Sequence, residues 1–114
     1  MSKTLDFNSV QRPTLVLTMM DEAKTQIHVS TPTEKLVEEL QVISAELDEI
    51  LQAGDKDSIN ATYDLAARLI SCNRDCVTVT AEELREKYKL KLEDLVIFFS
   101  VYIDFVDEIS KAKN

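Results

Sequence analysis

The chain has no tryptophan, one glycine, two prolines, one histidine and two cysteines in 114 residues. Tight hairpin turns draw on glycine for backbone conformations that other residues resist, so this scarcity argues against a sandwich or barrel of many strands. It favours helices joined by polar connectors. A single glycine also leaves no glycine-rich phosphate loop. Ser71, Ser100 and the cysteines are nucleophiles without a base nearby in sequence, because the lone His28 sits far from them, and catalysis is not expected. Cys72 and Cys76 occur in "CNRDC", a wider spacing than the Cys-x-x-Cys of common zinc and redox motifs, and His28 is the one other good ligand. Ordinary buried or half-buried thiols are expected, with no metal and no cofactor.

Basic residues are also few. Against 21 acidic residues stand 13 basic ones, and the net charge of -8 repels phosphate and offers a nucleic acid no counterion release. Direct nucleic-acid binding is therefore not expected. The longest apolar run, at 95–103, is too short to cross a bilayer and is followed by Asp104, Asp107 and Glu108, and the start carries no secretion signal. Those features predict a cytoplasmic protein with no membrane contact. A hydrophobic content of 45% with 30% charged residues is that of a globular domain rather than a disordered chain. The reading is one domain over residues 1–114, with a β-hairpin region at 1–30 and a helical bundle at 31–114.

Period-two alternation marks the first part. In "TLVLTMM" Leu15, Leu17 and Met19 alternate with Val16, Thr18 and Met20, and in "TQIHVS" Ile27 and Val29 alternate with Gln26, His28 and Ser30. With "DEAK" as a polar link, an antiparallel hairpin is expected near 14–20 and 25–30. Leu5 and Phe7 are either a short third strand or a tether. His28 falls on the more polar face, as a surface histidine would.

From "TPTEKLVEELQVISAELDEILQAG" onward the period is helical. Thr31 is the expected N-cap, with Pro32 in the first helical position and Glu34 completing a capping box. Leu36, Leu40, Ile43, Leu47 and Ile50 recur at steps of four and three, Val37 and Leu51 widen the stripe, and Gly54 stands where a left-handed C-cap is wanted. Glu38, Glu39, Glu46, Asp48 and Glu49 make a polar face that reads as a solvated surface, or alternatively as a site for a basic partner. A second helix is expected from about Ser58 to Cys72, begun by Asp55 or Asp57 and patterned by Ile59, Tyr63, Ala66, Leu69 and Ile70, with Ala66 and Ala67 permitting close approach. "NRDC" is its exit. Thr80 and Glu83 repeat the capping-box spacing ahead of a short third helix with Leu84 and Tyr88 on its apolar edge. Arg85, Lys87, Lys89 and Lys91 form a basic patch expected to pair with acidic neighbours, or else to orient a partner. The predicted fold is mainly α (α+β): an N-terminal hairpin followed by a bundle of about four helices.

The last helix, "LEDLVIFFSVYIDFVDEI", is apolar over most of its circumference. One series runs Leu92, Val96, Phe99, Ile103 and Val106; another, about 100° round the wheel, runs Leu95, Phe98, Tyr102, Phe105 and Ile109. A surface helix needs one such stripe. Either the helix is the covered centre of the bundle, or one stripe packs inside while the other meets a second chain. An exposed stripe rich in aromatics would be a large apolar patch of the kind that anchors interfaces.

In their order, the strand pair "LVLTMMDEAKTQIHV", the acidic amphipathic helix, the middle helix ending near "VTAEEL" and the terminal "LEDLVIFFSVYIDFVDEI" resemble the tail assembly chaperones of long-tailed bacteriophages and prophages. The resemblance implies a non-enzymatic protein of the host cytoplasm that binds the tape-measure protein while the tail tube polymerises. Such a protein is absent from the finished particle. A longer frameshifted form that recruits tail tube protein is frequent in that family, and this chain, ending in "SKAKN", would be the short form. The family has no fixed site residues to transfer; Leu95, Phe98, Tyr102, Phe105 and Ile109 are the candidate client or self-association contacts. A self-associating helical module, forming a homo-oligomer, and an acidic antagonist imitating nucleic acid are the alternatives.

Overall fold

The computed structural model describes residues 13–112. Its elements are β1 (Leu15–Thr18), β2 (Gln26–Val29), α1 (Glu34–Ala53), α2 (Lys56–Ser71), α3 (Ala81–Glu86) and α4 (Leu92–Ala112). The fold is therefore mainly α with a two-stranded antiparallel hairpin in front of four helices, as the periodicities predict. Leu5 and Phe7 lie outside the described residues.

The hairpin pairs Leu15 with Val29 and Leu17 with Ile27. Its inner face puts Ile27 and Val29 fully into the core, and its outer face carries Val16 opposite His28. Asp21 closes the connection by accepting the Thr25 backbone N–H at 2.8 Å and the Thr25 hydroxyl at 2.5 Å. Those two donors hold the Asp21 carboxyl below its usual value.

The cap of α1 is Thr33, not Thr31. Thr33 has extended backbone, and its hydroxyl oxygen accepts the Leu36 N–H at 3.3 Å, so the helix starts at Glu34 and Pro32 stands just ahead of it. Both threonines carry the same capping group. The one that caps is the one adjoining the first helical residue. At the other end Gly54 adopts φ +62° and its N–H donates to the Ile50 carbonyl at 3.1 Å, as its position predicts.

Asp55 caps α2, accepting the Ser58 N–H at 3.3 Å and the Ser58 hydroxyl at 2.9 Å. This helix, not α4, is the central one: it touches α1, α3, α4 and β2. Its buried side chains include Tyr63, Leu65, Leu69 and Ile70, and the buried Ala66 and Ala67 leave room for its neighbours to approach.

The exit of α2 does more than end a helix. The Ser30 N–H donates to the Cys72 carbonyl at 2.7 Å and the Arg74 N–H to the His28 carbonyl at 2.9 Å, so residues 72–74 run along the free edge of β2. Asn73 fixes that loop, donating from Nδ2 to the Ile70 and Val77 carbonyls at 2.8 and 2.7 Å and accepting the Val77 N–H at 3.0 Å. The Thr80–Glu83 capping box then forms as expected, with each backbone N–H donating to the other side chain at 3.2 and 3.1 Å. Leu84 and Tyr88 from this region are buried in the same core as Leu95, Phe99 and Tyr102.

Candidate partner-binding surface

The face of α4 that enters the core takes members of both apolar series. Leu95, Phe99 and Tyr102 are fully buried, Phe98 is 9% exposed, and Phe105 and Val106 are half-buried against the core. The rings form a chain, with centroids 5.5 Å apart for Phe98–Phe99, 5.4 Å for Phe98–Tyr102 and 6.0 Å for Tyr102–Phe105. The Tyr102 hydroxyl donates to the Ser30 carbonyl at 3.2 Å, tying α4 to the end of the hairpin. Burial, reinforced by the neighbouring Cys72, pushes the Tyr102 phenol well above its usual value.

Of the five candidate contacts, Leu95, Phe98 and Tyr102 are thus brought together inside the chain, while Phe105 and Ile109 are half-buried. What α4 presents outward is different: Ile97 at 63% exposure, Val101 at 45% and Ile103 at 37%. Ile97 and Val101 belong to neither series, whereas Ile103 is a member of the first. The aromatic face turns inward because α2 and the hairpin offer it a continuous apolar bed of Leu65, Leu69, Ile70, Ile27 and Val29.

Helix α1 is less completely covered than its stripe suggests. Only Leu40 and Ile50 are buried along its length, while Val42 and Leu51 are exposed. An open groove of about 430 Å³ separates it from α4, with Val37, Leu40 and Ser44 on one wall and Ile103, Val106 and Asp107 on the other. The Ser44 hydroxyl is buried there without a hydrogen-bond partner. On its other side α1 meets α2 in a groove of about 390 Å³ that includes Val42, Ile43, Ala61 and Leu65. There the Arg68 guanidinium donates to Glu39 at 2.7 Å, which gives that groove a charged, already satisfied rim.

Two members of the basic patch lie over aromatic rings, and beside the two Thr25 donors Lys87 also contributes to lowering the Asp21 carboxyl. Arg85 lies 4.2 Å from the centroid of the Tyr63 ring and donates to Asn60 Oδ1 at 2.5 Å, and Lys87 lies over Tyr88 at 5.2 Å. Tyr63 in turn donates to the Leu90 carbonyl at 2.8 Å, and burial raises its phenol despite the adjacent Arg85. Arg85 thus reaches across to α2, whereas Lys87 lies over the ring next to it in sequence, and both rings are buried in the core.

His28 is a surface residue with a defined partner that its sequence surroundings do not reveal. Its backbone N–H donates to Asp75 Oδ2 at 2.7 Å and its Nδ1 lies 3.2 Å from the same oxygen. The N–H bond leads in holding the Asp75 carboxyl below its usual value. Cys72 is a half-buried free thiol and Cys76 an exposed one. Among the described residues no group of three or more His, Cys, Asp or Glu could hold a metal ion, and no helix is long and apolar enough to cross a membrane.

No family model matches the chain, and neither a curated protein nor a solved structure matches it.

Proposed function

We propose that this chain is a non-enzymatic tail assembly chaperone of a long-tailed phage or prophage, which shields a hydrophobic helical stretch of the tape-measure protein until the tail tube encloses it. The observation that carries this reading is the division of apolar surface on α4. Its aromatic rings are inside, while Ile103 and Val106 are left to form an open groove with Val37 and Leu40 of α1. A groove of that kind suits a helical client, and the acidic outer faces of α1 and α4 suit keeping a sticky complex in solution. The order of hairpin, acidic helix, middle helix and apolar last helix supports the same family.

In this reading Leu95, Phe98 and Tyr102 hold the scaffold, and the client lies along the groove with Phe105 and Ile109 toward its end. The protein acts in the cytoplasm of the bacterial host, hands its client to the tail tube protein and is not carried in the finished particle. Co-expression with the very long helical protein of the same gene cluster tests it. The client is expected to stay soluble and to co-purify with this chain; a client that precipitates beside a soluble, folded chain removes the proposal.

A self-associating helical module is the second reading, favoured by the exposure of Ile97 and Val101 on the outer side of α4. It predicts a mass that rises with concentration in the absence of any client.

A further inference from the structure

The two edges of the hairpin differ in their cover. The Met19 N–H donates to the Thr25 carbonyl at 2.8 Å, in the register that sets Leu17 against Ile27 and Leu15 against Val29. Antiparallel pairs alternate between exchanging both backbone bonds and exchanging none, so Leu15, Leu17 and Met19 direct theirs to β2 while the N–H and C=O of Val16 and Thr18 point the other way. The same alternation sends His28 and Ser30 outward from β2, and there partners wait: the His28 carbonyl accepts the Arg74 N–H at 2.9 Å, and the Ser30 N–H donates to the Cys72 carbonyl at 2.7 Å. Among the described residues nothing bonds to the outward groups of Val16 or Thr18.

Burial follows the same asymmetry. On the inner face Ile27 and Val29 of β2 are fully buried, whereas Leu15 and Leu17 of β1, which share that face, are only partly so. Apart from its shortness, β1 has none of the devices that blunt an edge: Leu15–Thr18 contains no charge, proline or bulge, and no charged residue occurs from Pro13 to Met20.

We propose that the free edge of β1 pairs with β1 of a second copy, antiparallel about a two-fold axis through Leu17, joining two hairpins into one sheet. Only registers that set outward groups against outward groups can bond, and the one centred on Leu17 uses both: Val16 of each copy exchanges its backbone bonds with Thr18 of the other. Leu17 then lies beside Leu17 of the other copy on the inner face, as a closely spaced non-bonded pair, and covers the side of β1 that its own chain leaves part-exposed. Charge favours the same occupant. A chain of net charge -8 repels its copy over most of its surface, but in this register the nearest acid, Asp21, falls level with Pro13 rather than with another acid. A strand this short buries less than the about 800 Å² per partner of a stable dimer, so the pair is weak and forms with concentration. It uses no residue of the α1/α4 groove and is independent of the client reading.

The test uses the full chain without a client. Sedimentation velocity is expected to show the average mass climbing from the 12.9 kDa of one chain towards twice that between about 10 µM and about 1 mM. Amide hydrogen exchange read by NMR over the same range should slow at Val16 and Thr18, at least about fivefold, and stay constant at Leu17, which is already paired with Ile27. Val16→Pro removes one outward N–H without touching the bonds to β2, and should keep the chain monomeric at about 1 mM with the circular dichroism of the parent. Ile97→Lys, on the outer side of α4, should leave the dimer intact.

A mass that stays that of one chain overturns the proposal, and so does a rising mass with exchange at Val16 and Thr18 unchanged. Loss of the dimer with Ile97→Lys instead of Val16→Pro would also overturn it, by moving self-association to α4. So would slow exchange at Val16 and Thr18 in a chain that stays monomeric, which would give the edge to another segment of the same chain.

Discussion

Tyr102, fully buried in the middle of α4, donates its hydroxyl hydrogen to the carbonyl of Ser30 at the end of the hairpin, 72 residues away. The contact fixes which way the last helix faces. With Tyr102 directed at the hairpin, Leu95, Phe98 and Phe99 must follow it into the core, one to two turns back along the same face. Ile103, the next residue, is carried round to the edge that borders α1.

Tyr102→Phe keeps the ring and removes the hydroxyl, leaving the Ser30 carbonyl without that donor. Urea denaturation is expected to show a loss of about 1 kcal/mol with the fold retained. The same variant changes the alkaline limb. In the folded chain the phenol of Tyr102 sits above its ordinary value of 10.0, so the unfolded chain ionises first as pH rises. The contribution is complete below that ordinary value and is lost as pH climbs towards the higher folded one. The melting temperature of Tyr102→Phe should therefore fall less steeply above pH 10 than that of the parent.

The acid limb has the opposite sign. Asp21 and Asp75 both have folded values below the ordinary 3.8, through donors from Thr25 and His28 respectively. Their stabilisation is present above 3.8 and is lost as pH falls through the lower folded values, because the unfolded chain takes up protons first. Asp21→Asn with Asp75→Asn should flatten the decline of the melting temperature on the acid side of 3.8. An unchanged acid limb would mean that other carboxylates dominate it.

Gly54 has a left-handed backbone, yet a methyl group placed on it would meet nothing within 4 Å. Gly54→Ala thus tests conformation alone. It should cost about 1 kcal/mol in chemical denaturation, with no change in the core.

Thr33 and Thr31 give a matched pair at the start of α1. Thr33→Ala removes the acceptor of the Leu36 N–H and should cost about 1 kcal/mol, whereas Thr31→Ala should lie within about 0.5 kcal/mol of the parent. The reverse order would restore Thr31 as the cap.

What was legible in the sequence follows the range of the interactions. The alternation at Leu15–Met19 and Ile27–Val29, the stripe of α1, the Gly54 cap and the Thr80–Glu83 box are local patterns, and each forms where its spacing puts it. Thr31 and Thr33 offer the same hydroxyl on either side of Pro32, so spacing alone could not choose between them. The facing of α4 was not legible, because its two series are equally apolar and the decision comes from Ser30, α2 and the hairpin. Arg85 on Tyr63, His28 on Asp75 and residues 72–74 along β2 are likewise made by segments far apart in the chain. The groove is half visible in the sequence: Val37 widens the α1 stripe and Ile103 belongs to an apolar series of α4, but nothing local joins them.

The most direct test compares Phe98→Asp with Ile103→Asp by thermal melting followed by circular dichroism, with binding to the tape-measure protein assayed on whatever remains folded. A carboxylate at Phe98 is forced into the aromatic core, at a cost of about 3 kcal/mol or more, whereas at Ile103 it faces the open groove. The account predicts that Phe98→Asp loses its cooperative melt and that Ile103→Asp melts like the parent but no longer holds the client. A Phe98→Asp chain that melts like the parent and alone loses the client would contradict it, and would turn the aromatic face of α4 outward.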